Sequence, residues 1–427
     1  MPDAFSELAW RGLIHQTTDD NNLGAWLAQK PRTLYAGFDP TADSLHVGHL
    51  VALMVLRRFQ KAGHRPVALV GGATGMIGDP SGKSEERNLL GVDVLRANVA
   101  GMEKQLRRFL DFQCGPNSAL LVNNYDWMGQ FGYLAFLRDI GKHFPVAAML
   151  AKDSVRMRLE RSDAGLSYTE FSYMLLQAYD FVYLNEHYGC ELQVGGSDQW
   201  GNITAGIDLA RRMRAVQLYG MTCPLLTRSD GQKMGKTESG ALWLSPERTS
   251  PYQFYQYWIN LDDADVGKCL RLFTDLEEPE ILTILAEHSA DPGRRVAQRR
   301  LAADLTRLVH AEAGLAAARR ATDIFFGAEI REVSDAQLEG IFADVVSREL
   351  PRSRLAAGLP LVDALVESGL AKSKGEARRI INQGGAYVNN RRVGDIETRL
   401  GPADLAGESV LVLRAGKKSY ALLKFTP

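Results

Sequence analysis

Two histidines three residues apart, His46 and His49, lie in the stretch GFDPTADSLHVGHL from Gly37 to Leu50. The pattern predicts a strand ending at Phe38, a proline at position 40 that forbids its continuation, and a helix starting near His46. That spacing puts both imidazoles on the same side of the first helical turn, and Gly48 between them leaves the backbone open to a flat ligand. The free N–H groups and positive dipole of a helix start suit a phosphate. Two imidazoles there could donate to phosphate oxygens whose charge grows during a displacement. A pair of helix-capping histidines is the plainer alternative.

A second group, DGQKMGKT from Asp230 to Thr237, carries Lys233 and Lys236 in a glycine-rich loop. Such a loop is ordinarily solvated surface. Glycine also lets it close over a ligand, where two ammonium groups could neutralise a departing pyrophosphate. The segment Gly71–Arg87 resembles a phosphate loop only superficially: the residue five before Gly82 is Ile77, so the Walker spacing fails. A lid with Lys83 and Arg87 at its tip fits better. Third, Tyr173, Gln177 and Asp180 fall at i, i+4 and i+7 of a predicted helix, so one ligand could touch all three. That face is polar where a core helix would be apolar; a partly exposed helix with a hydrogen-bonding edge is the alternative.

Positioning these groups requires particular elements. Apolar runs at Thr33–Phe38, Pro66–Gly71, Ala119–Asn123 and Glu191–Val194 read as strands. Helical periodicity covers Val47–Ala62, Phe131–Phe144, Thr169–His187 and Gln199–Arg214. Strands separated by helices argue a parallel α/β sheet, with ligands at the strands' carboxyl ends, in the loops after Phe38, Gly71 and Val194. After Leu226 comes the polar lysine loop, then a helical reading from Ser250 to about Ala343. From about Leu359 two short helices, a Gly-Gly break and strands follow. The expected class is α/β: a Rossmann-like parallel-sheet domain over 1–226, a loop and linker over 227–248, an α-helical domain over 249–345 and a small α+β module over 346–427.

The chain has 427 residues, too many for one ordinary domain. With 45% hydrophobic and 24% charged residues it is globular, not disordered. Fifty basic against fifty-one acidic residues exclude a uniformly cationic nucleic-acid binder. The balance is uneven, however: from Val346 onward there are 14 Lys/Arg and 8 Asp/Glu, net +6, leaving 36 against 43, net −7, in the first 345 residues. A basic tail on an acidic body suggests a local contact with a polyanion. Cys114, Cys190, Cys223 and Cys269 form no CxxC pair, which argues against a zinc ribbon or disulfide framework and for a reducing compartment. The N-terminus lacks a signal-peptide pattern, and no apolar run reaches the roughly 18 residues of a spanning helix, so a cytoplasmic protein without membrane partners is expected.

Together these residues resemble the bacterial tyrosyl-tRNA synthetases, a family of class I aminoacyl-tRNA synthetases. His46-Val47-Gly48-His49 is similar to the HIGH signature, and Lys233-Met234-Gly235-Lys236-Thr237 to the KMSKS signature in its KxGKT form. The likeness runs along essentially the whole chain, through Tyr35–Thr41, Gly78–Lys83, Tyr173–Asp180 and Gly195–Trp200. The departures are Val47 for Ile, and Gly235 with Thr237 for two serines; both lysines remain. The resemblance implies a tyrosine–tRNA ligase that forms tyrosyl-adenylate and pyrophosphate from L-tyrosine and ATP, then transfers tyrosine to tRNA(Tyr). It also implies Mg2+ carried with ATP rather than in a protein cage, and a homodimer.

By that resemblance Asp180 accepts from the substrate phenol and Tyr35 donates to it. Tyr173, Gln177 and Asp79 hold the ammonium, with Gln199 near the carboxylate end. Gly37, Asp39, Gly48, Gly196 and Asp198 belong to the nucleotide, and Thr41, His46 and His49 to the phosphates. Lys83, Arg87, Lys233 and Lys236 belong to loops closing on pyrophosphate, Lys236 also counting as an ATP contact. Residues 249–345 become an anticodon-binding domain. The segment Leu361–Ile381 resembles a small RNA-binding module shared with a ribosomal protein: Lys374 and Arg378 are four apart on one helix face, flanked by Lys372 and Arg379. A tryptophanyl-tRNA synthetase is the nearest rival and should lack the Asp180–Tyr35 pair. A non-catalytic RNA-binding protein on the same scaffold could have lost the lysines or the histidines, and this chain keeps them all.

Overall fold

A sheet whose strand order reverses at its centre sets the layout. The computed structural model describes residues 3–81, 91–152, 155–156, 159, 165–237, 240–330, 333–342, 345–416 and 419–426. Strands β1 (Gln16–Thr17), β2 (Thr33–Phe38), β3 (Arg65–Val70), β4 (Leu120–Asn123), β5 (Cys190–Gly196) and β6 (Tyr219–Cys223) lie in the order β1-β6-β5-β2-β3-β4. Strands β2 to β6 are parallel, as the apolar runs imply, and β1 pairs antiparallel to β6 at the edge. Two residues are too few to show an alternating pattern, so β1 leaves no trace in the sequence. From β2 the chain builds outward through β3 and β4, and from β5 in the other direction through β6. A crevice therefore opens at the carboxyl ends of β2 and β5.

Helices Tyr168–Tyr188 and Trp200–Arg214 pack on this sheet, sharing one buried cluster that includes Tyr35, Val67, Leu69, Phe181 and Leu209. The helix expected from Val47 starts as a 3-10 turn, Val47–His49, before the α-helix Leu50–Lys61. The stretch expected as one helix from Phe131 to Phe144 is shorter, with Tyr133–Asp139 followed by the turn Gly141–His143.

The lysine loop has more structure than a polar, glycine-rich sequence suggests. Thr227 bridges Lys233, and β7 (Lys236–Thr237) pairs antiparallel with β8 (Gly240–Ala241). Beyond it, the Val47 N–H donates to the Leu242 carbonyl (3.0 Å) and the Leu244 N–H to the Leu45 carbonyl (2.8 Å), so the loop's far end is sewn to the histidine segment. Helix Asp263–Phe273 holds its near end. Asp265 accepts from the Ser229 N–H (2.8 Å), Lys268 Nζ donates to the Thr227 carbonyl (3.1 Å), and Cys269 Sγ lies 3.6 Å from Met234 Sδ.

Two buried arginines anchor that helix. Arg11 donates to the carbonyls of Arg271 (2.9 Å), Thr274 (3.2 Å) and Leu276 (2.7 Å), and Arg58 to those of Thr274 (2.7 Å) and Arg271 (3.4 Å). They satisfy carbonyls that a helix C-terminus leaves without intrahelical partners. Burial, and then the neighbouring Arg11 charge, bring the Arg58 pKa down to about 9.

Compactness divides the chain into two bodies, 1–249 with 258–309, and 250–257 with 310–427. The segment expected as one helical domain, 249–345, is thus shared between them. Helix Val296–Phe325 has a non-helical residue at Ala311 (φ 60°, ψ −177°), close to the division. In the second body, Ala321, Ile324, Leu338 and Phe342 pack against Val410, Val412, Tyr420 and Leu422, and this apolar contact joins the last helices to the C-terminal sheet. That sheet takes β9 (Val346–Pro351), β11 (Ala386–Val388), β12 (Arg391–Arg392), β14 (Val410–Ala415) and β15 (Ser419–Thr426) in the order β12-β11-β14-β15-β9, with β10 (Leu359–Pro360) and β13 (Arg399–Leu400) paired separately. Helices Leu361–Glu367 and Lys374–Asn382 lie between β10 and β11.

Replacing Arg11 by alanine should destabilise the first body by about 3 kcal/mol, because buried carbonyls, and Glu7, whose carboxylate lies 2.5 Å from Arg11 Nε, lose their charged partner. Urea denaturation measures this, and a change below about 1 kcal/mol would mean that water substitutes for the guanidinium.

Candidate active site

The crevice holds a cavity of about 530 Å³. Every expected site residue of the first body lines it except Lys83 and Arg87, which lie outside the described residues. At one end sits Asp180, only 1% exposed. Its two oxygens accept from Trp127 Nε1 (2.8 Å) and Asn124 Nδ2 (3.0 Å). Burial raises its pKa to about 7, against those two hydrogen bonds, with the Asp39 charge adding to the rise. Tyr35, 1% exposed, stands against Phe181 with ring centroids 5.3 Å apart. Its hydroxyl is buried without a hydrogen-bond partner, and burial lifts its pKa well above the usual phenol value. An unpaired buried hydroxyl is costly unless a ligand completes it. Gln193 Oε1, likewise buried and unpaired, belongs to the same cavity.

Next along the helix Tyr168–Tyr188 come Gln177 and Tyr173, as their spacing implies. Gln177 Nε2 donates to Gln199 Oε1 (3.2 Å), and Gln199 Nε2 to Asp79 Oδ2 (2.7 Å). Asn202 Nδ2 adds contacts to Gln199 Oε1 (3.2 Å) and Asp79 Oδ1 (3.4 Å), and the Ser81 N–H donates to Asp79 Oδ1 (2.9 Å). Tyr173 Oη donates to Asp39 Oδ2 (2.8 Å). This is an acidic, acceptor-rich corner suited to a cation such as an ammonium group.

The two histidines stack, with ring centroids 3.9 Å apart and planes 22° from parallel. Capping and ligand binding turn out to be compatible. His46 Nδ1 accepts from the Gly48 N–H (3.1 Å) and His49 Nδ1 from the His46 N–H (3.1 Å). An imidazole whose Nδ1 accepts must, when neutral, carry its proton on Nε2, so each ring is set as a donor there. A Cβ at position 48 would stand 2.8 Å from His46 Cε1, so Gly48 permits the fold-back of that ring. Gly37, Asp39, Thr41, Gly196 and Asp198 line the same cavity; burial raises the Asp198 pKa, and the Asp79 charge adds to it. Lys233 and Lys236, both exposed, also line it.

Asn124, Trp127, Gln193 and Asn202 are absent from the expected set. The only signal for Trp127 and Asn124 in the sequence is their place just after β4, at the carboxyl edge of the sheet. Lys372, Lys374, Arg378 and Arg379 lie in the second body, all exposed, on or beside helix Lys374–Asn382, whose Ala377 and Ile381 are buried. Lys374 Nζ pairs with Asp363 (2.7 Å), and Arg379 with Glu376 (3.7 Å). Among the described residues no group of three or more His, Cys, Asp or Glu could hold a metal ion, and no helix is long and apolar enough to cross a membrane.

Known proteins match this arrangement over nearly the full length. Residues 27–327 match the family model of class I tRNA synthetases for tryptophan and tyrosine, and residues 337–423 the SYY-like C-terminal domain of tyrosine–tRNA ligases. The tyrosine–tRNA ligase of Rhodopirellula baltica is 62% identical over 421 residues, 98% of this chain and 96% of that protein. That of Roseiflexus castenholzii is 53% identical over 425 residues, 99% of this chain and all of the other. Among solved structures, a C-terminally truncated mitochondrial tyrosyl-tRNA synthetase of Aspergillus nidulans superimposes with a TM-score of 0.69 at 34% identity, covering 76% of this chain and 95% of that one.

Because the folded Asp180 pKa, about 7, exceeds its ordinary value of 3.8, this group's contribution to stability is full below about pH 4 and is lost as pH rises through 7. Asp180→Asn should therefore gain stability relative to the parent at pH 8 compared with pH 5, by thermal unfolding. Tyrosine affinity should fall as pH drops through about 7, where Asp180 takes up its proton, and the variant should lose both that dependence and the preference over phenylalanine. Unchanged tyrosine affinity and preference in the variant would refute the pocket assignment.

Proposed function

The chain belongs to the class I tyrosine–tRNA ligases, which join L-tyrosine to tRNA(Tyr) at the expense of ATP, and from that footing we propose a role for each group in the crevice. The substrate phenol lies between Asp180 and Tyr35, donating to the carboxylate and accepting from the tyrosine hydroxyl. The observation that carries this is the buried, unpaired Tyr35 hydroxyl in the same cavity as a buried carboxylate. Phenylalanine would leave the Tyr35 hydroxyl unpaired and Asp180 short of the donor that a phenol adds to Trp127 and Asn124, a penalty that tyrosine avoids. Asp79, Gln177 and Tyr173 receive the ammonium, with Gln199 at the carboxylate end.

The tyrosine carboxylate then attacks the α-phosphorus of ATP in line, and pyrophosphate leaves. This chemistry rests on positioning and charge stabilisation, without a covalent enzyme intermediate. Gly37, Asp39, Gly48, Gly196 and Asp198 seat the nucleoside. Thr41 and the Nε2–H donors of His46 and His49 face the phosphates. Lys233 and Lys236, with Lys83 and Arg87 of the lid segment, meet the charge that grows on pyrophosphate; Mg2+ arrives with ATP as part of the substrate. In the second step the 3′-terminal ribose of tRNA attacks the tyrosyl carbonyl and AMP leaves.

The exposed basic side chains Lys372, Lys374, Arg378 and Arg379 contact phosphates of tRNA, a role supported by the net +6 of residues 346–427. The anticodon is read in the helical segment 249–345. Homodimerisation through the region around residues 133–150 is supported by exposed apolar groups there, Tyr133, Leu134, Val146 and Leu150 among them, of which Leu134 is 79% exposed. The working compartment is the cytoplasm.

Tyrosine-dependent ATP–pyrophosphate exchange tests the reading directly. His46→Ala and Lys233→Ala should each slow adenylate formation about 10²-fold while leaving the tyrosine dissociation constant nearly unchanged, since their contacts strengthen in the transition state. Equal weakening of tyrosine binding would count against that role. For the RNA face, Lys374→Ala with Arg378→Ala should flatten the slope of log tRNA affinity against log salt by up to about 2 and leave pyrophosphate exchange untouched; an unaltered slope would place the RNA contacts elsewhere.

A further inference from the structure

Across the carboxyl ends of β2, β3 and β4 runs a chain of hydrogen bonds, buried except at its Asp39 end, that links Asp39 to Asp180. Asp39 follows β2, Thr74 opens the short helix Thr74–Ile77 after β3, and Asn124 follows β4. Thr74 Oγ1 donates to Asp39 Oδ1 (2.7 Å) and accepts from Asn124 Nδ2 (3.0 Å), which also donates to Asp180 Oδ2 (3.0 Å). Asn124 Oδ1 accepts from the Ala73 N–H (2.7 Å), fixing the orientation of the amide. Thr74 is 2% and Asn124 0% exposed.

The proton count leaves one arrangement while both carboxylates are charged. A carboxylate only accepts, so the single Thr74 hydroxyl proton goes to Asp39, and the oxygen must then accept one amide proton of Asn124. The other amide proton goes to Asp180. Thr74 is therefore the point at which the position of Asp39, on the nucleotide side, and that of Asp180, on the phenol side, are set together. Gly71 bears out how closely the link is built: a Cβ there would fall 2.1 Å from Asp39 Oδ1 and 2.3 Å from Thr74 Oγ1.

We propose that Thr74 is a positioning residue for both substrates, its hydroxyl holding Asp39 for ATP and, through Asn124, Asp180 for tyrosine. This rests on the assignment of Asp39 to the nucleotide and Asp180 to the phenol given above. Thr74→Val keeps the shape and removes the hydroxyl, so Asp39 loses a donor and Asn124 an acceptor. Pyrophosphate exchange with each substrate varied in turn should show the KM for ATP and that for tyrosine each raised about tenfold, with kcat at saturation within about threefold of the parent. Thr74→Ser, which restores the hydroxyl, should return both constants to the parent values, a rescue that a purely packing role would not produce. Gly71→Ala, which drives Asp39 and Thr74 apart, should repeat the loss for ATP, and Thr74→Ala serves if the valine variant does not fold.

A rise confined to one substrate, or failure of serine to rescue, overturns the proposal. Asp39→Asn and Asp180→Asn run alongside. If Asp39→Asn leaves the ATP constant unchanged, or Asp180→Asn the tyrosine constant, the underlying assignment fails and the proposal falls with it. If both behave as assigned while Thr74→Val is silent, only the linking role of Thr74 is refuted.

Discussion

A buried carboxylate, Asp180, imposes its needs on the segment packed against it. Taking such a charge out of solvent costs several kcal/mol unless donors replace the lost hydration. Two donors do so here, Trp127 and Asn124, both from the segment that follows β4. The indole is held in turn by stacking on Tyr183, with centroids 4.3 Å apart and planes 15° from parallel. Compensation is incomplete, since the pKa remains at about 7. On the proposed assignment, a phenol proton would relieve that charge, and specificity would follow from it together with the unpaired Tyr35 hydroxyl.

The lysine loop obeys a different constraint, because its exposed cations stand on a segment held at its two ends. The loop bearing Lys233 and Lys236 is tied at one end to helix Asp263–Phe273 and at the other to the histidine segment. Asp230, Gly231 and Gln232 in its middle are exposed, as are Lys233 and Lys236. Through Arg11 and Arg58, the N-terminal helix and the helix after the histidines secure the same anchoring helix. The two signature segments are thereby neighbours in one hydrogen-bonded fabric, although almost 190 residues separate them along the chain.

In the second body the division of labour is between an apolar inside and a basic outside. One cluster unites helix end and sheet through Ile324, Phe342, Val412 and Tyr420, and a second fills the small module itself around Leu365, Ile381 and Leu413. Asn390, in the left-handed conformation at φ 64°, closes the β11–β12 turn and sends its amide to the carbonyls of Ile324 and Ala328 (2.8 Å each). The exposed arginines and lysines are then carried on a rigid support.

What the sequence determined by itself is whatever is local or periodic. The histidine pair, the lysine loop, the strands around the crevice and the helix face shared by Tyr173, Gln177 and Asp180 all follow from spacings of a few residues, because side-chain direction repeats with the backbone. Tertiary structure alone decided the rest. Trp127 reaches Asp180 across 53 residues, Asn124 across 56, and Arg11 finds the carbonyl of Arg271 across 260. An asparagine, a tryptophan or a threonine at such places reads as an ordinary cap or core residue, since nothing in its neighbours along the chain names its partner. The split of residues 249–345 between two bodies was hidden for the same reason: periodicity announces that a helix has an apolar face, and only packing decides which surface buries it.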